Sequence, residues 1–209
     1  MIRAGRRMAA AVGACAALFA LITGLQAAWI PLKAELAQGL LHRSWQHILA
    51  GDRDARPWPW ADTRPAARLR VPALGIDQLV LAGQSGRNLA FGPVWLEAAT
   101  AGQDRVISGH RDTHFRFVHY LSSGDIIWLD TPGWQRNTHP TAVYVVEYSE
   151  VIDSRGLELV LEPTRDRLSL VTCYPFDARP GGGPLRLVVT ARPAVPADLR
   201  TKQRETSSG

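Results

Sequence analysis

The chain has 209 residues, a formal net charge of +5, and hydrophobic and charged fractions of 46% and 21%, a balance that allows one globular domain with appendages but does not choose its class. The charge is split: Arg3, Arg6 and Arg7 open the chain, Arg200, Lys202 and Arg204 lie near its end, and the middle is mixed in sign. No basic stripe is interleaved with aromatics, which argues against a nucleic-acid partner.

In chain order, residues 1–7 are basic and 8–32 carry no charge, a length that suits a transmembrane helix. The preceding arginines predict a cytoplasmic N-terminus and an exported remainder, so a single-pass anchor. A cleaved signal peptide wants small residues at −1 and −3, but cleavage after Ala28 or Ala27 puts Gln26 or Leu25 at −3. Too few apolar residues precede Cys15 for a lipoprotein signal core. Over residues 33–65, Leu36, Leu40, Leu41, Trp45 and Ile48 have the spacing of an amphipathic helix. That helix could lie on the membrane, pack on the following domain or act as a spacer. Pro57, Pro59 and Pro65, with Trp58 and Trp60 among them, then read as a linker.

From residue 66 the pattern changes to short apolar or alternating runs: 69–71, 79–81, 105–107, 126–129, 142–146, 168–171 and 185–189, separated by glycine, serine and proline. Such spacing predicts an all-β sandwich or barrel over 66–192. Residues 147–166 and 177–184 are expected as loops, with a short helical turn over 153–161. Residues 193–209 are expected as a disordered tail.

Cys173 is the only cysteine outside the apolar N-terminus, so this region holds no internal disulfide and the thiol is either core filler or a nucleophile. It ends the run Ser169-Leu170-Val171-Thr172-Cys173, and Tyr174-Pro175 predicts a turn that exposes it. A free thiol is mostly protonated at neutral pH, so a nucleophilic cysteine needs a neighbour that favours or generates the thiolate. His110, in Gly109-His110-Arg111-Asp112-Thr113, can serve as base or as imidazolium partner. Asp112 could orient His110 or hold Arg111. Arg186 alternates with Leu185 and Leu187, and its charged fork suits an oxyanion or a substrate backbone. His110 and His114 are a weak metal pair, with no third ligand and no intervening glutamate, and no compact acidic loop indicates calcium. No metal or cofactor is predicted.

Leu170-Val171-Thr172-Cys173 preceded by Ser169, the Gly-His-Arg-Asp-Thr segment, Arg186 in the next run, and Leu89-Ala90-Phe91-Gly92-Pro93 together resemble the sortase family over roughly residues 69–192. The histidine segment and the membrane topology look most like the sortases of Gram-negative bacteria. The resemblance implies a closed β-barrel of about eight strands with short helices, following the transmembrane helix. It implies a cysteine transpeptidase with Cys173, His110 and Arg186 as catalytic residues. Thr172 and Tyr174 would bind substrate, the latter through its N–H as a second oxyanion donor. The implied partners are a membrane-tethered protein with a C-terminal Leu-Pro-x-Thr-Gly-like motif and an amine acceptor, at an inner membrane with the catalytic domain periplasmic. The rivals are an exported cysteine protease and a non-enzymatic anchored β domain. A papain-like enzyme is disfavoured because its cysteine precedes its histidine, and an L,D-transpeptidase because its Ser-His-Gly-Cys-type segment is absent.

Overall fold

The computed structural model describes residues 2–83, 85–96, 104–132, 141–155, 166–178 and 183–199. A helix, α1 (Ile2–Leu49), is followed by eight strands. They are β1 (Pro65–Val71), β2 (Ile76–Ala82), β3 (Val94–Trp95), β4 (Arg105–Ser108), β5 (Ile126–Asp130), β6 (Thr141–Asp153), β7 (Leu168–Cys173) and β8 (Leu185–Pro193). The chain divides into two compact units, residues 1–40 and 41–209. The first is helical and apolar; from Val12 onward α1 is long and apolar enough to cross a membrane.

In the second unit the strands close into a barrel in the order β1-β2-β3-β4-β7-β8-β6-β5, with β5 returning to β1. Of the two folds open to the alternating runs, the barrel is therefore the one formed. Closure removes the open edges that a flat sheet would leave. At the closing seam Arg70 makes a paired hydrogen bond with Asp130 at 2.9 and 3.0 Å, and its guanidinium lies 4.9 Å from the Trp128 ring centre. Most neighbours are antiparallel, but β2–β3 and β4–β7 are parallel. The interior is filled by one face of each strand, including Leu69, Val80, Ile107, Leu129, Tyr144 and Leu170, with Phe115 and Phe117 from the segment after β4. Burying each such side chain contributes about 1.5–3 kcal/mol. A second apolar cluster packs Leu41 and Trp45, in the last turns of α1, against Leu79, Leu81 and Val94.

Two expectations change. Residues 147–153, expected to begin a loop, continue β6, because past a register shift at Glu147 the backbone pairs with β8 from Tyr148↔Thr190 out to Asp153↔Leu185. The helical turn expected over 153–161 thus starts on a strand residue, and its residues 156–161 lie outside the described residues. Residues 51–64 contain neither helix nor strand. Past β8, residues 196–199 form a helical turn tied back by Arg192, which bonds Asp198 at 2.8 and 3.0 Å. Residues 200–209 lie outside the described residues.

Candidate active site

Alternation along β7 buries Leu168, Leu170 and Thr172 and leaves Ser169, Val171 and Cys173 half-buried on the opposite face. The Cys173 thiol is free. Antiparallel β8 sets Arg186 directly opposite Cys173. Directly opposed residues share a face with Cβ atoms about 4.5–5.5 Å apart, so the register itself supplies the thiol with a guanidinium neighbour. Arg186 is half-buried, and its Nη1 donates to the carbonyls of Gly183 and Leu185 at 2.7 and 2.8 Å.

The histidine arrives from the other side of β7. Parallel pairing aligns Ser108 with Val171, and the register is pinned upstream by Arg167, which bonds Asp104 at 3.0 and 3.3 Å. Just past the end of β4 the Gly109 N–H donates to the Val171 carbonyl at 3.1 Å, and the Thr172 hydroxyl donates to the Gly109 carbonyl at 2.8 Å. His110 therefore leaves β4 beside the strand end that carries Cys173. Its own carbonyl accepts the N–H groups of Thr113 and Phe115 at 3.3 and 3.0 Å, which bends the chain at once and keeps the imidazole exposed. Gly109 permits this packing: a Cβ there would lie 2.6 Å from the buried Phe115 ring.

Arg111 follows and turns inward, with its side chain 4% exposed. It donates to the carbonyl of Pro175, to that of Ala178 at 3.1 Å, and to both carboxylate oxygens of Asp112 at 2.9 and 3.3 Å. The hydrogen bond that Arg111 donates to Asp112 raises the Arg111 pKa, opposed by burial and aided by the charges of Asp112, Cys173 and Asp177. The same hydrogen bond lowers that of Asp112, with Arg116 and His110 adding to the effect. Asp112 thus holds Arg111, one of the two roles open from the sequence.

His114 is half-buried near His110; burial and the neighbouring imidazole lower its pKa, against a hydrogen bond to the Ala90 backbone that raises it. Its carbonyl accepts Gln78 Nε2 at 3.2 Å. His119 stacks 4.6 Å from Phe176, which with Tyr174 packs on the core beneath the loop that leaves Cys173. Among the described residues no three His, Cys, Asp or Glu side chains gather to hold a metal.

Two of the expected substrate contacts are otherwise engaged. The Thr172 hydroxyl is buried and bonds Gly109, as above. The expectation for the Tyr174 N–H is corrected, because that group donates to the Leu185 carbonyl at 3.0 Å and is spent in the β7–β8 ladder rather than free for an oxyanion. Arg111 and Gly109 were not singled out as site residues by sequence reasoning. The only signal for either was adjacency to His110.

The sortase domain family model matches residues 69–194. Similar solved structures include a Clostridium perfringens sortase D5 transpeptidase, with 16% identity over 77% of this chain and 99% of that one, at a TM-score of 0.60. Sortase C-1 from Actinomyces oris is 24% identical over 63% of this chain and 73% of its own, at 0.52. Clostridium perfringens sortase C, solved with the C-terminal cell wall sorting motif, is 17% identical over 78% and 90%, at 0.52. No curated protein matches the sequence. A family match over more than half of the chain, on a closed eight-stranded barrel, makes this protein a member of the sortase family.

Proposed function

We propose that the protein is a membrane-anchored cysteine transpeptidase of the kind found in Gram-negative bacteria, held by α1 in the inner membrane with its barrel in the periplasm. The observation that carries the chemistry is the register Cys173↔Arg186, with β4 delivering His110 to the other flank of β7. Cys173 Sγ attacks the scissile carbonyl carbon of a C-terminal Leu-Pro-x-Thr-Gly-like motif on a membrane-tethered protein. Arg186, permanently charged, stabilises the tetrahedral oxyanion. As the C–N bond breaks, His110 gives its proton to the departing amine and a thioester remains. An acceptor amine then attacks the thioester carbon and loses a proton to His110. The Cys173 thiolate leaves and an amide forms.

Family membership supports the reaction class, as does the sorting motif present in the Clostridium perfringens sortase C structure. The arginines before the apolar helix support the orientation. Holding enzyme and substrate in one membrane raises their effective concentration.

The test is intact-mass analysis of the full chain in detergent with a sorting-motif peptide library, beside Cys173→Ala. A peptide adduct on the wild type alone, released by an added amine as a ligated product, is expected. Release by water alone would indicate a protease, and an unmodified wild type with an inert thiol would indicate a non-catalytic domain.

A further inference from the structure

Arg111 is the one buried guanidinium at the site that the proposed chemistry does not use. A charge removed from water must be compensated, and its local field is screened far less than one at the surface. Among the described residues the only carboxylate bonded to it, Asp112, has a side chain 67% exposed, so solvent weakens that compensation. The other two bonds go to the carbonyls of Pro175 and Ala178, in the loop that follows Cys173. The guanidinium therefore bridges the segment bearing His110 and the chain leaving the nucleophile.

We propose that Arg111 is a positioning residue for the nucleophile: its bonds to Pro175 and Ala178 fix the cysteine loop on the histidine segment and anchor a buried positive charge to the chain that leaves Cys173. Cys173 is among the charges that raise the Arg111 pKa, after the hydrogen bond to Asp112, the opposing effect of burial and the charge of Asp112. Among the described residues the charged and titratable groups near this end of β7 are Arg186 from β8, His110 and Arg111 after β4, and Asp112 and Asp177 around Arg111. The role differs from that of Arg186, which is argued to meet substrate, whereas Arg111 is buried away from it. The inference rests on Cys173 being the nucleophile but not on which acyl acceptor is used.

The test measures iodoacetamide alkylation of Cys173 in the full chain at pH 7, followed by mass spectrometry of the peptide containing it. A His110→Ala background removes the imidazole from the comparison. Arg111→Met is expected to slow alkylation about tenfold. Asp112→Asn, which removes the partner charge and leaves the guanidinium, is expected to speed alkylation about twofold. The two variants thus move the rate in opposite directions, which a purely structural role would not do. Folded Arg111→Met alkylated at the parent rate would overturn the proposal. Should Arg111→Met not fold, Asp112→Asn decides alone, and a rate equal to or below the parent's overturns it. Because alkylation needs no sorting peptide, failure here is distinct from failure of the transpeptidase reading.

Discussion

His114 shows how a single side chain can set a pH limit at this site. Burial is the largest cause of its lowered pKa, followed by the backbone bond to Ala90 that opposes it and the charge of His110 that adds to it. The unfolded chain therefore binds a proton near the ordinary value of 6.5, where the folded chain still resists one. This contribution to stability is complete above pH 6.5 and is lost as the pH falls through and below it. Thermal unfolding of wild type and His114→Gln at pH 7.5 and 5.5 should show the wild type losing more Tm on acidification. Parallel losses in both would remove His114 as the source.

Among the elements, the end of β4 is the tightest fit. Gly109 must bond both Val171 and Thr172 while Phe115 packs over its Cα, and the ring is fully buried. A methyl group at this position must displace either the ring or the strand end. Gly109→Ala should cost about 1–3 kcal/mol by overpacking and lower transpeptidation more than it lowers substrate affinity, because His110 moves with the strand. Differential scanning calorimetry and a kcat against KM comparison check both parts. An unchanged Tm would mean that Phe115 has room to yield.

The elements also show what the sequence could reveal. Seven apolar runs correspond to seven strands, since alternation records which face of a strand is buried. β3 has two residues, too few to alternate. The outer part of β6 was also hidden, because residues 147–151 are exposed and nothing selects apolar side chains there, although the backbone still pairs with β8. At the site, Cys173, His110 and Arg186 were legible as residue types in recognisable settings. The inward turn of Arg111 was not: its carbonyl partners lie 64 and 67 residues away, and a charged residue beside a glycine-histidine pair reads as solvated.

Considered whole, the barrel unit extends further toward the N-terminus than the strands alone. It begins at residue 41, and Leu41 and Trp45 form a cluster with Leu79, Leu81 and Val94 on β2 and β3. Trp45 is 3% exposed, so Trp45→Ala removes a full aromatic side chain from a packed site and should cost about 3–5 kcal/mol. Denaturant unfolding of the two proteins checks this. A loss below about 1 kcal/mol would mean that the last turns of α1 only rest on the barrel.

The parallel pairing of β4 with β7 has a consequence in time. Parallel neighbours need a crossover, and here β5 and β6 intervene, so Gly109 and Thr172 meet across 63 residues of chain. Closing so long a loop is slow compared with forming local contacts. While the polypeptide is being synthesised from its N-terminus, the histidine segment emerges well before the cysteine. Until the last strands dock, the thiol lacks its neighbours on both flanks. Chemical competence thus arrives with the completed fold, and a chain still being made carries an unarmed cysteine.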